Sequence, residues 1–364
     1  MSKTRDTFTP RIEKLRGVLK EKQADGVVLS SPESRRYYMG FTGTDGYGLV
    51  TADSRQIFVD SRYTEQAKEQ CVGTDVVLAV GGTAARVSLE IAERELQAIG
   101  LEDRQMAWAE MLGFKKRGEA LEFIPLSVEL AKLRIRKDED ELQLLREASR
   151  IADESLLAVL PEIKVGVTES YVAAMLEHEM RLRGASGPSF TTIVASGVRS
   201  AMPHGVASDK KLEAHDPITI DFGCVYQGYC SDATRTYFLG EPTEEMRKIY
   251  EVVLDAQKRT VAALKPGLTG HAIDKVARDI IKEAGYGENF GHSLGHSLGL
   301  EVHEAPSAAP NSEAVFEPGT LITVEPGIYV AGLGGVRIED TCLITADGYE
   351  ILTDLPKELT VLPL

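Results

Sequence analysis

Five residues with side chains that bind metal ions are spread through the C-terminal two-thirds of this 364-residue chain. In chain order they are Asp221, Asp232, His296, Glu325 and Glu339. Four carboxylates and one imidazole are too many ligands, and too rich in oxygen, for a single tetrahedral zinc site. They suit two divalent ions that share bridging carboxylates around a water molecule. Such a centre makes hydroxide from bound water at neutral pH.

The two aspartates lie on a predicted β-hairpin. Two strand-like runs flank the dipeptide Gln227–Gly228, which is typical of a tight turn. A loop centred on this dipeptide places Asp232 opposite Gly223. Asp221 then lies opposite Thr234. Both carboxylates face the same way as diagonal neighbours, with backbones about 7 to 8 Å apart, so they can converge on one site.

A solvated face is the alternative for these two aspartates, which would then simply flank the turn. Aspartate is depleted in strands, and the neighbours Ile218, Ile220 and Phe222 indicate a packed sheet. Two like charges that converge in a partly buried place repel each other strongly unless a cation neutralises them. The pattern therefore favours a metal site that includes Asp221 and Asp232.

Glu325 and Glu339 form a second acidic pair. A strand over 321–330, broken by a Pro-Gly pair, is followed by a glycine-rich turn and an extended run over 336–343. The two-residue period of a strand directs Arg337 and Glu339 to the same face. Taken alone, this hairpin favours an exposed Arg–Glu pair on an edge strand. Together with the two aspartates, it favours a shared metal site.

Histidine is scarce, with seven residues in the chain, yet His292, His296 and His303 lie close together in the sequence. Of these, His296 is the candidate metal ligand. His303, and His204 further upstream, are candidates to donate a hydrogen bond to a substrate carbonyl or to move a proton near neutral pH. For the histidines, and for Tyr329 in a predicted strand, a structural role is the alternative.

The composition indicates a globular protein with two domains, because 364 residues exceed the usual size of one domain. The 41 basic and 56 acidic residues give a net charge of -15, which disfavours nucleic acid and anionic membranes as partners. Met1–Lys22 lacks the apolar core of a signal peptide, and no stretch approaches the roughly 20 apolar residues of a membrane span. We therefore expect a cytoplasmic protein. The four scattered cysteines are expected to be reduced packing residues.

The N-terminal third alternates predicted helices and strands. Helices are predicted at 10–26 and 84–98, and extended segments at 27–30, 48–51, 56–60, 75–80 and 105–109. This pattern predicts a small α/β domain, which ends where a charged run begins after Leu133. The predicted domains are therefore 1–133 and 134–364.

The rest of the chain mixes long amphipathic helices with short strands punctuated by glycine. Helices are predicted at 138–160, 168–183, 243–264 and 270–284. Thr168 and Thr243 are the expected N-caps of two of them. Each candidate metal ligand lies outside these helices, on strands or loops, where a sheet can hold side chains rigidly while loops admit a substrate.

Six segments resemble the Xaa-Pro peptidases, aminopeptidase P and prolidase, which are relatives of methionine aminopeptidase and creatinase. The matching segments, in family order, are Met202-Pro-His-Gly205, Ile220-Asp-Phe-Gly223, Ser231-Asp-Ala-Thr-Arg235, Gly295-His-Ser-Leu-Gly-Leu-Glu-Val-His-Glu304, Val324-Glu-Pro-Gly-Ile-Tyr329 and Val336-Arg-Ile-Glu-Asp340. The resemblance implies an α+β fold, in which a small N-terminal α/β domain like that of creatinase precedes a pita-bread catalytic domain. It also implies a homodimer.

By this resemblance the chain is an enzyme with two divalent metal ions, manganese in the first place and cobalt or zinc otherwise. Asp232 and Glu339 would be shared between the ions, and Glu325 would also pass a proton to the leaving proline nitrogen. The other implied site residues are His204 and His303 at the reacting carbonyl, His292 and Tyr329 at the substrate, and Arg337 beside the metal ligands.

The implied reaction is hydrolysis of the Xaa-Pro bond, which releases the N-terminal residue from peptides with proline second. The alternative is an Xaa-Pro dipeptidase that acts on dipeptides only. Several prolidases carry an arginine shortly after the His-Glu motif, and it binds the carboxylate of the dipeptide; here the chain continues Ala305-Pro306-Ser307, which favours longer substrates. A metal-free creatinase-like hydrolase or a peptide-binding module is disfavoured, because all five ligands are present.

Overall fold

The computed structural model describes residues 8–117 and 121–364 of the chain. The chain divides into two compact units, Met1–Arg134 and Ile135–Leu364. The segment Met1–Lys22, for which no signal peptide is predicted, begins at residues 1–7, outside the described residues. Within the described part of the chain, no helix is long and apolar enough to cross a membrane.

The N-terminal unit is built on a six-stranded sheet. Its helices are α1 (Thr9–Glu21), α2 (Pro32–Met39), α3 (Thr64–Gln70), α4 (Thr83–Glu93), α5 (Trp108–Arg117) and α6 (Ser127–Arg134). Its strands are β1 (Gly26–Leu29), β2 (Tyr47–Thr51), β3 (Arg55–Val59), β4 (Asp75–Leu78), β5 (Ala98–Leu101) and β6 (Glu122–Pro125). Their order in the sheet is β4-β3-β2-β1-β5-β6, which confirms the predicted strands at 27–30, 48–51, 56–60 and 75–80.

Two predictions for this unit are wrong. The segment 105–109 is not extended, because its first two backbone N–H groups close a turn onto the carbonyl of Glu102 and α5 begins at Trp108. The helix predicted to reach residue 98 ends at Glu93. Glu95 adopts a positive φ of 57°, which stops the helix, and the next residues enter β5. The helical spacing of apolar residues reveals neither the turn at Glu102 nor the positive φ of Glu95.

The C-terminal unit contains four helices and fourteen short strands within the described residues. The helices are α7 (Glu139–Val159), α8 (Glu169–Leu182), α9 (Glu244–Ala263) and α10 (Gly270–Glu283). The strands are β7 (Gly187–Pro188), β8 (Ile193–Ser196), β9 (Pro217–Phe222), β10 (Cys224–Tyr226), β11 (Tyr229–Cys230), β12 (Ala233–Leu239), β13 (Gly295–Ser297), β14 (Glu304–Ala308), β15 (Leu321–Val324), β16 (Gly327–Val330), β17 (Gly334–Arg337), β18 (Asp340–Ile344), β19 (Tyr349–Ile351) and β20 (Val361–Leu362). The four helices predicted for this part are confirmed, with Thr168 and Thr243 as N-caps that accept a backbone hydrogen bond.

The hairpin that carries the two aspartates has the predicted register. Strand β9 pairs antiparallel with β12, and Asp221 lies opposite Thr234. The turn at Gln227 and Gly228 has positive φ at both residues, 45° and 87°, as a tight hairpin turn requires. A Cβ atom at Gly223 would lie 1.9 Å from the carbonyl oxygen of Ser231, so glycine is required where the two strands cross closely.

Two apolar clusters form the core of this unit. Ile218, Ile220 and Phe222 of β9 are fully buried in the first cluster, together with apolar residues of α7 and α8. The second cluster joins α9 and α10 to strands β15 to β18. Because side chains alternate along a strand, Asp221 points away from the first cluster and to the opposite face of β9. The sheet therefore carries a packed face and a functional face.

The four cysteines are free and buried, in agreement with the sequence. Another buried group, Asp153 on α7, lies apart from the acidic pairs. Its Oδ2 accepts a hydrogen bond of 2.6 Å from the backbone N–H of Asp354, whereas Oδ1 has no hydrogen-bond partner among the described residues. Burial raises the pKa of the Asp153 carboxyl to about 7. The folded protein therefore favours the neutral acid.

We expect Asp153→Asn to stabilise the protein at pH 8. The unfolded chain releases the Asp153 proton near pH 4 and the folded chain near pH 7, so stability falls as pH rises between these values and the loss is complete above them. Asparagine keeps the acceptor without the charge, and we expect a gain of about 1 to 3 kcal/mol in the free energy of unfolding at pH 8. Urea denaturation measures it, and the variants should be equally stable at pH 4. Equal stability at pH 8 would contradict the prediction.

Candidate metal centre

All five candidate ligands come together on the functional face of the C-terminal unit. One oxygen each of Asp221, Asp232 and Glu339 lies within 4.8 Å of the other two. The Nε2 atom of His296 lies 3.6 Å from Asp232 Oδ2 and 3.5 Å from Glu325 Oε1. Residues from two separate hairpins and from β13 therefore converge on one place.

Backbone pairing between the two hairpins sets the position of Glu339. Its N–H donates to the carbonyl of Thr234 at 3.1 Å, and the Thr234 hydroxyl donates to Glu339 Oε2 at 2.7 Å. The hydroxyl of Thr341 donates to the carbonyl of Asp232 at 2.9 Å. Because strand β12 and the start of β18 hold each other in this way, the two carboxylates face each other across a short gap.

Hydrogen bonds between the segments of β13 and β15, which belong to different sheets, position the remaining candidate ligands. The His296 N–H donates to Thr323 Oγ1 at 3.0 Å, and the Thr323 hydroxyl donates to Glu325 Oε1 at 3.2 Å. A Cβ atom at Gly295 would lie 1.9 Å from the Thr323 carbonyl oxygen, so only glycine permits this approach. His296 Nδ1 lies 3.0 Å from the carbonyl of Ser297, which assigns the ring proton to Nδ1 and leaves Nε2 facing the carboxylates.

The electrostatics of the cluster call for cations. Burial and the neighbouring carboxylates raise the pKa values of Asp232 and Glu339 well above their usual range. Burial also raises the pKa of Glu325 to about 8 and lowers the pKa of His296 to about 4. Asp221 Oδ1 is buried without a hydrogen-bond partner among the described residues. These oxygen donors and one neutral imidazole fit two divalent ions of the harder kind.

Arg337 is the buried cation next to the cluster. Its Nη2 donates to Asp221 Oδ2 at 2.6 Å, and its Nε donates to the Thr234 hydroxyl at 3.1 Å. Its Nη1 donates to the hydroxyl of Tyr329 at 2.8 Å and to the carbonyl of Pro203 at 3.2 Å. With its donors engaged in this way, Arg337 orients Asp221.

A cavity of about 470 Å³ opens over the cluster. Its walls are lined by Phe190, Thr191, Ile193, Pro203, His204, Val206, His292, Ser293, Gly295, His303 and Ser307, in addition to the five candidate ligands and Arg337. The three predicted histidines, His204, His292 and His303, therefore face one cavity. Tyr329, predicted to contact substrate, is not among the described lining residues and instead lies behind His292.

Tyr329 and the loop around it fix the ring of His292. The Tyr329 hydroxyl lies 3.0 Å from His292 Nε2, and His292 Nδ1 lies 2.8 Å from the carbonyl of Ser293. Because the carbonyl oxygen of Ser293 can only accept, the ring proton of His292 is on Nδ1 and the tyrosine hydroxyl donates to Nε2. Burial lowers the pKa of His292 to about 4, so the ring is neutral near pH 7.

Sequence reasoning missed the pair Asp274 and Arg278, which holds the loop of His292. Arg278 donates to the carbonyls of Phe290 at 3.0 Å and His292 at 2.9 Å, and Asp274 Oδ1 accepts from the N–H of Leu294 at 3.1 Å. The Asp–Arg spacing of four on one helix was a readable signal, although such pairs are usually surface contacts. The pair Asp274 and Arg278 can bind the loop of His292 only because the fold brings this loop next to α10.

Glu304 serves the loop that carries His303 in a similar way. Its Oε2 lies 2.8 Å from Lys137 Nζ, and both side chains are almost fully buried. Its Oε1 accepts from the N–H groups of Leu300 and Glu301 at 3.1 and 3.3 Å. The rings of His303 and His296 meet edge to face, with centroids 4.4 Å apart. Glu304, which follows His303 in the sequence, therefore holds the loop of this cavity histidine in place.

Comparisons with known proteins identify the family of both parts of the chain. Residues 143–346 match Metallopeptidase family M24, and residues 11–136 match the Creatinase/Prolidase N-terminal domain. The Xaa-Pro dipeptidase of Pyrococcus furiosus is 42% identical over 352 residues, which cover 96% of this chain and 99% of that protein.

Two solved structures resemble the chain over almost its full length. An Xaa-Pro dipeptidase from Bacillus anthracis has a TM-score of 0.94 and 46% identity, and the match covers 98% of this chain and 100% of that one. An X-Pro aminopeptidase from Thermotoga maritima has a TM-score of 0.90 and 39% identity, with 96% and 99% covered. The resemblance and the fold class predicted from the sequence are confirmed. The chain belongs to Metallopeptidase family M24, carries a Creatinase/Prolidase N-terminal domain, and is a metal-dependent peptidase.

Proposed function

We propose that this protein is an Xaa-Pro dipeptidase. The observation that carries the proposal is a cavity of about 470 Å³ over a cluster of metal-ligating side chains, in a chain 46% identical to a solved Xaa-Pro dipeptidase. A cavity of this size suits a small ligand rather than a folded protein. The relatives named as dipeptidases in Pyrococcus furiosus and Bacillus anthracis support this reading over the aminopeptidase preferred from the sequence.

The aminopeptidase is kept as the second candidate on one observation. Arg337, the arginine of the cavity lining, already binds Asp221 and Tyr329, and Ser307 occupies the wall after the His-Glu motif. A substrate carboxylate would therefore rely on histidines rather than on a dedicated arginine. The Thermotoga maritima neighbour named as an X-Pro aminopeptidase is in line with this candidate.

The mechanism follows from what an Xaa-Pro bond lacks. The proline nitrogen carries no hydrogen, so recognition depends on the carbonyl, the ring and the free amino group of the substrate. Asp221, Asp232, His296, Glu325 and Glu339 would hold two divalent cations, which when bound would supply an activated water and a polarised scissile carbonyl. The donor set, rich in hard oxygen ligands, excludes a preference for soft metals, and we propose manganese, with cobalt or zinc as the alternatives.

The protein's own groups perform the remaining steps. Glu325, whose Oε1 lies 3.5 Å from His296 Nε2, takes a proton from the attacking water and delivers it to the leaving proline nitrogen. His303 and His204 face the cavity and donate hydrogen bonds to the oxygen of the reacting carbonyl. His292 provides a neutral wall for the proline ring, and Arg337 holds Asp221.

The remaining predictions from the sequence complete the proposal. We propose that the catalytic domain is residues 134–364, that the protein forms a homodimer and that it works in the cytoplasm. The net charge of -15 is consistent with a protein that avoids nucleic acid and anionic membranes.

A comparison of two substrates tests the proposed function. With manganese supplied, we expect kcat/KM for the dipeptide Ala-Pro to exceed that for Ala-Pro-Ala by about 100-fold, because the tripeptide has an amide in place of the proline carboxylate, and a site that binds this carboxylate discriminates against a substrate without it. Ala-Ala is the control for the proline requirement. Faster cleavage of the tripeptide would replace the dipeptidase by the aminopeptidase. Cleavage of neither substrate by metal-loaded protein would reject both.

Tyr329→Phe tests the contacts behind His292. The change removes the acceptor of one Arg337 donor and the hydrogen bond to His292 Nε2. Loss of these contacts is worth about 1 to 3 kcal/mol, so we expect kcat/KM for Ala-Pro to fall about 10- to 100-fold. Tyr286→Phe is the matched control, since its hydroxyl donates to Glu245, a surface residue outside the cavity lining. Equal activities of the two variants would contradict the role given to Tyr329.

A further inference from the structure

Glu169, the first residue of α8, is a fully buried carboxylate outside the lining of the cavity. Its Oε1 accepts hydrogen bonds from the N–H and the hydroxyl of Ser196, both at 2.8 Å. Its Oε2 accepts from the N–H of Ser208 at 3.1 Å and from the Ser208 hydroxyl at 2.6 Å. Arg199 Nε lies 3.3 and 3.1 Å from the two oxygens. Both oxygens of Glu169 are therefore saturated with donors.

The two serines are the ends of one segment, 196–208. The segment contains three cavity-lining residues, Pro203, His204 and Val206. Arg199, which is bound to Glu169, also donates from Nη2 to the carbonyl of Val206 at 2.8 Å. One carboxylate thus binds the segment at its beginning and at its end, and Arg199 links it to the carbonyl of Val206.

The segment has little apolar packing to hold it. Val198, Met202 and Val206 are 56%, 52% and 49% exposed, so their side chains contribute little burial. A segment with few buried apolar contacts opens easily unless polar contacts restrain it. A buried carboxylate is costly unless its hydrogen bonds are satisfied, and its place in the first turn of α8 favours its negative charge. The hydrogen bonds of Glu169 are satisfied, and it lies in this first turn of α8.

We infer that Glu169 is a positioning residue that clamps both ends of the segment 196–208 and so holds His204 at the cavity wall. The assignment of His204 to substrate binding rests on the proposed function. The clamp itself rests on the hydrogen bonds of Glu169 and on the exposure of the segment. The clamp and the role of His204 in substrate binding can therefore be tested by separate measurements.

The first measurement is hydrogen–deuterium exchange of the full-length protein and its Glu169→Gln variant. The new amide group places an N–H donor against donors of Ser196 or Ser208, so one end of the segment loses its acceptor. We expect exchange in 197–207 to accelerate about tenfold, with β9 unchanged. Unchanged exchange in 197–207 would overturn the inference, whatever the activity.

The second measurement is the kinetics of Ala-Pro hydrolysis. Misplacement of His204 is expected to raise KM about tenfold in Glu169→Gln and to change kcat much less. Manganese content per chain should stay the same, because Glu169 contacts none of the five candidate metal ligands in the described hydrogen bonds. In a His204→Ala background, Glu169→Gln should raise KM no further. Multiplied effects in the double variant would overturn the link to His204.

Two further variants complete the design. Glu179→Gln, on the same helix, removes a surface ion pair with Arg183 and should change neither exchange nor KM. Ser208→Ala removes one hydroxyl contact and gives a milder version of the effect if Glu169→Gln does not fold. Faster exchange in a protein that never cleaves Ala-Pro would reject the proposed function and leave the clamp intact. Faster exchange with an unchanged KM would overturn the role in substrate binding.

Discussion

Asp232→Asn is expected to abolish peptidase activity and the binding of divalent metal ions. Asp232 lies at the centre of the cluster, within reach of Asp221, Glu339 and His296. The asparagine nitrogen cannot ligate a cation, so the proposed metal centre would lose a shared ligand. Loss of cation-assisted chemistry is worth several kcal/mol of transition-state stabilisation, and we expect kcat/KM to fall on the order of a thousandfold or more. Metal analysis of the purified protein should show a parallel loss.

The same change should have the opposite effect on the metal-free protein. Burial and neighbouring carboxylates raise the pKa of Asp232, so in the absence of cations its ionisation destabilises the fold, and this loss grows as pH rises. In EDTA at pH 8 we therefore expect Asp232→Asn to have a higher Tm than the wild type, with the difference vanishing at low pH, where the carboxyl is neutral in both folded and unfolded chains. With manganese the order reverses, because ligand binding stabilises only the wild type.

The reversal distinguishes a metal site from an ordinary acidic cluster. Asp255→Asn is the control, because this exposed aspartate on α9 forms a surface ion pair with Arg259. It should bind metal as the wild type does and show a similar Tm under both conditions. If manganese stabilised Asp232→Asn as strongly as the wild type, Asp232 would not be a ligand.

The sequence was sufficient for the hairpin of the two aspartates because the required information is local. A turn with two positive φ values fixes the register, and the register places Asp221 opposite Thr234. The helices of the C-terminal unit were also accessible, since N-caps such as Thr168 mark where they start. The five candidate ligands were predicted from their residue types and from motifs that resemble those of the Xaa-Pro peptidases, so their convergence was expected without coordinates.

Other features were not accessible because they depend on distant parts of the chain. The role of Glu169 depends on two serines that the fold brings to one carboxylate, and a glutamate at the start of a helix is common without such a role. The end of α4 near Glu95 depends on where β5 joins the sheet. The choice between dipeptidase and aminopeptidase depends on the shape and charge of the whole cavity wall, which one tripeptide such as 305–307 does not define.

Arg235 is the residue outside the metal cluster whose loss should cost most. It is 1% exposed, and its guanidinium donates to the carbonyls of Glu339, Pro356 and Leu355 and to the carboxylate of Asp340. It thus ties the backbone of a candidate metal ligand to the C-terminal segment. Arg235→Met removes these donors and leaves Asp340 buried with less compensation.

We expect Arg235→Met to lower the free energy of unfolding by about 3 to 5 kcal/mol, the usual cost of removing one partner from a buried ion pair. For a unit of this size the Tm should fall by roughly 10 °C. The affinity for manganese should also fall, because Glu339 loses a backbone anchor next to its side chain. Calorimetry and metal titration measure the two effects.

Arg247→Met, which removes an exposed ion pair with Glu241, is the control and should change Tm by about a degree or less. A drop in Tm with unchanged metal affinity would limit the role of Arg235 to folding. A small drop in both quantities would mean that Lys357 and Gln257, the other partners of Asp340, are sufficient to compensate the charge of Asp340.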